Sequence, residues 1–157
     1  MARFRGLHNK YKRDGLTPDE ASSYVALRDE LYGAVLRTQR LGLQPGQKTR
    51  QAVRVALVQK IQLAVADGRI STVTCDVGVG GFAAFVHIDP PVGSPCDFVL
   101  RAGGQSLRGH ARVVGCVRHG SGAVTYRASF ALESMGDDDR ARLEVAVLDA
   151  ALLELAM

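Results

Sequence analysis

The sequence predicts a mainly β fold: a small antiparallel barrel or sandwich, closed by a C-terminal helix and preceded by a helical extension. Three observations predict it. The apolar period changes from helical to two near residue 50, four further strand-like runs follow with glycine and proline turns between them, and a helical period returns at the chain end.

Taken in order, residues 1–15 carry Arg3, Arg5, Lys10, Lys12 and Arg13 against Asp14 alone. Such a stretch reads as a solvated basic arm able to touch an anionic surface. Its Phe4 and Tyr11 form no RNA-binding motif, and nucleic acid is not expected as a partner. Residues 16–43 read as a helical extension. Thr17 supplies an N-cap hydroxyl, Pro18 fits the first turn and Glu20 stands at the capping-box position. Tyr24, Leu27, Leu31 and Val35 then form one apolar stripe, and Gly42 and Pro45 end the helix. Residues 44–49 form a polar, breaker-rich linker.

Beyond the linker, Val53, Val55, Leu57, Ile61, Leu63 and Val65 occupy odd positions, with Arg54, Lys60 and Gln62 on the even ones. This is the alternation of a half-buried strand, broken locally at Val58 and Gln59. Asp67-Gly68 is a hairpin turn, and 70–75 is the return strand, which delivers Asp76 to a strand end. Runs at 82–87, 96–101, 106–117 and 124–132 come next. Asp137, Asp138 and Asp139 suit a helix N-terminus, and Leu143, Val147, Ala150 and Leu153 give that helix a stripe to lay on the barrel.

Length and composition fit one ordinary domain with an extension: 157 residues, 46% hydrophobic, 23% charged, net charge +4. No apolar run is long enough to span a bilayer and the start lacks an apolar signal region, so a cytoplasmic protein without membrane insertion is expected. Cys75, Cys96 and Cys116 are odd in number and far apart, and the four histidines lack ligand spacing. The expectation is reduced thiols, no metal and no cofactor.

The chemistry concentrates between Arg50 and Gly81. Arg50 and Arg54 stand four apart, and the hairpin returns Asp76 toward them, just before Gly78, Gly80 and Gly81. A guanidinium offers a planar fork for a phosphate or the O6/N7 edge of guanine, and a carboxylate accepts from the other guanine edge. Glycine lets backbone approach a ligand. The same charges could instead form a surface ion pair worth little. The run 78–83 also fits a dinucleotide-binding glycine pattern, but Pro90 and Pro91 follow too soon for the helix that pattern must open. No nucleophile–base pair or paired carboxylates stand out, so an enzyme is not expected.

Arg50-x-x-x-Arg54 followed by Asp76-x-Gly78-x-x-Gly81 resembles the paired motif of the PilZ family, with Gly78 where that family usually has serine. The resemblance covers residues 50–157 and implies a six-stranded antiparallel β-barrel with a C-terminal helix that binds cyclic di-GMP. It implies that Arg50 and Arg54 hold phosphates and guanine faces, that Asp76 binds a guanine edge and that Gly81 permits the turn. Thr49, in place of a further arginine, implies a single bound nucleotide. A receptor signalling to an unidentified protein partner is one implied function. The alternative, prompted by Gly78, is a degenerate adaptor that is blind to nucleotide and acts through protein contacts.

Overall fold

The computed structural model describes residues 1–41, 53–66, 68–120 and 125–156. The chain divides into a unit of residues Met1–Val53 and a unit of residues Arg54–Met157. Arg50, the linker, the expected helix end at Gly42 and the turn residue Asp67 lie outside the described residues.

The first unit contains two packed helices, α1 (Ala2–Arg13) and α2 (Pro18–Leu41). The expected solvated arm is therefore a helix, and its burial explains why. Phe4, His8 and Tyr11 recur at helical spacing, and all three stack on Tyr24 of α2, with ring centroids 5.2, 6.0 and 5.5 Å away. Phe4 and His8 are buried, and His8 Nδ1 lies 2.9 Å from the Tyr24 hydroxyl. Lys10, Lys12 and Arg13 fall in the last turn of α1, where a helix favours cations. The start of α2 is a reciprocal capping box. Glu20 N–H donates to Thr17 Oγ1 at 3.3 Å, and Thr17 N–H donates to Glu20 Oε1 at 3.1 Å. Lys10 Nζ closes on the same carboxylate at 2.7 Å, and these partners, Lys10 first and Thr17 second, hold Glu20 down to about 2.

The second unit is a closed antiparallel β-barrel. Its strands are β1 (Arg54–Ala56), β2 (Lys60–Val65), β3 (Gly68–Gly78), β4 (Gly81–Val86), β5 (Pro95–Ala102), β6 (Gln105–His119) and β7 (Thr125–Met135). Six of them form the ring β3-β2-β5-β6-β7-β4, which β3–β4 pairing closes, while β1 adds to β3 beyond the end of β2. The ring consists of two meanders, β2-β3-β4 and β5-β6-β7, joined along two seams, β2–β5 and β4–β7.

The strand expected across 53–65 is split in two, and Thr74 fills the break. Its hydroxyl donates to Leu57 O and accepts from Gln59 N–H at 3.0 Å, which satisfies backbone groups that the ladder leaves open. On β3 a bulge lies between Thr74 and Asp76. It reverses the facing of the residues beyond it: Thr74 pairs with Ala84, but Asp76 pairs with Ala83. Without the extra residue, Asp76 would share the inward face of Ile70 and Thr74. With it, Asp76 joins the outer face that Arg54 occupies.

Inside, Phe82 stacks on Phe130 at 4.8 Å and meets Phe98 edge-on at 5.1 Å. Gly109 stands opposite Phe98, and a Cβ there would lie 2.7 Å from the ring, so the glycine makes room for the aromatic cluster. Helix α3 (Asp137–Ala156) packs on β1, β3, β5 and β6. It buries Leu143, Val147, Leu148, Ala151 and Leu152, whereas Leu153, expected in the stripe, is 67% exposed. Asp139 anchors its start by accepting from Arg108 N–H at 3.1 Å, and Glu154 accepts from Ala56 N–H of β1 at 3.1 Å near its end. Among the described residues no helix is long and apolar enough to cross a membrane.

Candidate functional site

Arg54, Asp76 and Arg127 form one cluster on the outer face where β1, β3, β4 and β7 run side by side. Arg54 stands opposite Gly78, and Ala56 opposite Asp76, so the arginine and aspartate are diagonal neighbours on one face. Arg54 Nη1 donates to Asp76 Oδ1 at 3.0 Å. Arg127 Nη2, from the far side of β4, donates to Asp76 Oδ2. The hairpin thus brings Arg54 to Asp76, and the bulge turns the carboxylate outward to meet it.

Their exposure is graded. The side chain of Asp76 is 12% exposed, Arg54 18% and Arg127 37%. Among the described residues of the cluster, two guanidinium groups face one carboxylate, and part of Arg127 stays open to solvent. Charge-assisted bonds in such partial burial are stronger than exposed pairs and more directional.

Gly81 directly follows the turn between β3 and β4. It is the first residue of β4, opposite Gly78 and Ala131, and requires no left-handed backbone. A Cβ at Gly81 would collide with Phe130 O and stand 2.8 Å from Arg54 Nη2. The glycine is required for close approach: β7 passes tightly on one side and the Arg54 guanidinium lies over the strand on the other. Gly78 faces Arg54 and Gly81 across the two ladders, so it offers backbone and no hydroxyl there. Asp76 is not at a strand end, because β3 continues through Val77 to Gly78.

Periodicity along the sequence does not point to Arg127. Its only signal is register: Arg127 pairs with Phe85 and Asp76 with Ala83 on the two edges of β4, a relation that no single strand carries. Cys75, beside Asp76, is half-buried, and burial raises its thiol while Arg127 opposes the rise. Cys75, Cys96 and Cys116 are free thiols. Among the described residues no group of His, Cys, Asp and Glu is arranged to hold a metal.

The second unit is thus a closed six-stranded β-barrel with an arginine–aspartate cluster on its outer wall. The PilZ domain family model matches residues 48–149, and the chain belongs to that family. Solved structures similar to it include MotI/DgrA, the inhibitor of motility of Bacillus subtilis, at 15% identity and TM-score 0.58, covering 70% of this chain and 53% of that one. The PilZ domain of YcgR from Escherichia coli, solved with c-di-GMP, matches at 14% identity and TM-score 0.57, covering 69% and 96%. MrkH of K. pneumonia in its apo state matches at 17% identity and TM-score 0.58, covering 73% and 55%. The chain spans about half the length of MotI and MrkH. No curated protein matches the sequence.

Proposed function

We propose that the chain is a cyclic di-GMP receptor that passes the binding event to a protein partner. The observation that carries this reading is the Arg54–Asp76 pair lying over Gly81, with Arg127 closing the other side of the carboxylate. In a PilZ barrel this is a donor–acceptor set suited to a guanine nucleotide. Arg54 and Arg127 present forked donors for phosphate, and Asp76 is an acceptor for the guanine N1 and N2 hydrogens. Arg50, one motif step before Arg54, is the further donor the reading includes. The c-di-GMP named with YcgR supports the reading by kinship of fold.

Binding then takes the form of an exchange. Both oxygens of Asp76 are held by arginines. A nucleotide that takes one oxygen releases a guanidinium, which turns to the phosphate. The single strand β1 that carries Arg54 is also bonded to α3 through Ala56 and Glu154, so rearrangement at the site has a direct route to the C-terminal helix.

Calorimetric titration with cyclic di-GMP tests the reading. Arg50→Ala, Arg54→Ala and Arg127→Ala should each cost about 2 kcal/mol, on the order of thirtyfold in Kd, where the partner group is substantially desolvated. Asp76→Ala should reduce discrimination against cyclic di-AMP along with affinity. No detectable binding to the wild type at high micromolar nucleotide would overturn the receptor reading.

A further inference from the structure

We infer that the barrel carries a second binding surface, over the β2–β5 seam, that docks an acidic segment of a partner protein. A half-open groove of about 1380 Å³ runs along the outer face of β3, β2, β5 and β6. The register places Lys60, Arg69, Arg101 and Arg108 on this face, and all four are exposed. No ion pair among the described residues involves any of them. Arg101 is held by Ser106 at 3.1 Å. Asp97, the carboxylate among the described residues that line the groove, is occupied by His110.

Like charges gathered on one face cost stability, and pairing them with Glu or Asp on the neighbouring strands would have relieved the cost. The open cations therefore favour an external anion. An acidic polypeptide fits better than a nucleic acid. Val99 lies between Arg108 and Gln62 in the ladders and Val73 opposite Lys60, giving the groove an apolar floor among its charges. Phe98, the phenyl ring in its lining, is buried and offers no face on which a base could stack. Both edges of β2 are already paired, which directs recognition to side chains and away from strand addition. The surface is separate from the Asp76 cluster and does not depend on that cluster taking a nucleotide.

The test is an NMR titration of the full chain with a short peptide of glutamates punctuated by leucines, its glutamine counterpart, and a duplex DNA of random sequence. The acidic peptide should shift amides of β2, β5 and β6 and bind more weakly as salt rises. Arg101→Glu with Arg108→Glu should weaken it roughly tenfold or more, since two attractions become repulsions. Equal binding of the glutamine peptide, shifts confined to other strands, no shifts at millimolar peptide, or tighter binding of DNA at this face would each overturn the inference.

Discussion

Gly81 shows how a single missing side chain decides what its neighbours can do. A Cβ at this position would collide with Phe130 O and stand 2.8 Å from Arg54 Nη2, one a backbone atom that cannot yield and the other the end of a flexible chain. Gly81→Ala should therefore push β4 from β7 and lift Arg54 off the strand, at a cost of about 1–3 kcal/mol in stability. Gly115→Ala is the control, because nothing lies within 4 Å of its Cβ. Urea unfolding of the two variants is the measurement. Equal stability of both would show that Gly81 is not needed to hold β4 close to β7. At this scale the sequence exposed the residues with strong chemical character, Arg54 and Asp76, and their spacing. It did not expose Arg127, because an arginine on a half-exposed strand looks the same whether it faces solvent or a carboxylate two strands away.

Elements were legible where local chemistry fixes them and obscure where two patterns compete. The Thr17–Glu20 capping box could be read from four residues and is present as read. Alternation exposed the strands, and the break at Val58 and Gln59 marks the division of β1 from β2. The bulge beside Cys75 could not be read, since Ile70, Thr72, Thr74 and Asp76 keep an unbroken even spacing in the sequence. α1 was hidden by its charge, although Phe4, His8 and Tyr11 carry a helical stripe. In α3 so many positions are Ala, Val or Leu that two stripes are available, and packing selects the one through Leu148 and Leu152 over the one through Leu153.

The α1–α2 contact has a defined pH response. Glu20 is held at about 2, below its ordinary 4.5, by Lys10 and Thr17. A carboxylate lowered on folding contributes fully above its unfolded value, so the contribution is present above about 4.5 and disappears as pH falls toward 2. The difference in Tm between wild type and Glu20→Gln should accordingly be constant from neutral pH to about 5 and shrink below it. Glu20 titrating at its ordinary value in an NMR pH series would show that the capping box and the Lys10 pair are not formed in solution.

At the scale of the whole barrel, connectivity and closure separate. Every meander pairing is between strands adjacent in sequence, whereas both seams, β2–β5 and β4–β7, join distant parts of the chain. Closing distant strands carries the larger entropic cost, so the seams are the natural places for the ring to part. Arg127 and Asp76 reach across one seam, and the cationic groove spans the other. Cyclic di-GMP gripping Arg54, Asp76 and Arg127 should slow amide exchange along β4 and β7 far more than along β2 and β5. Hydrogen exchange with and without nucleotide checks this, and uniform protection around the ring would refute it. On the proposed function the barrel is a hoop with two clasps, of which a small molecule would fasten one and leave the other as it was.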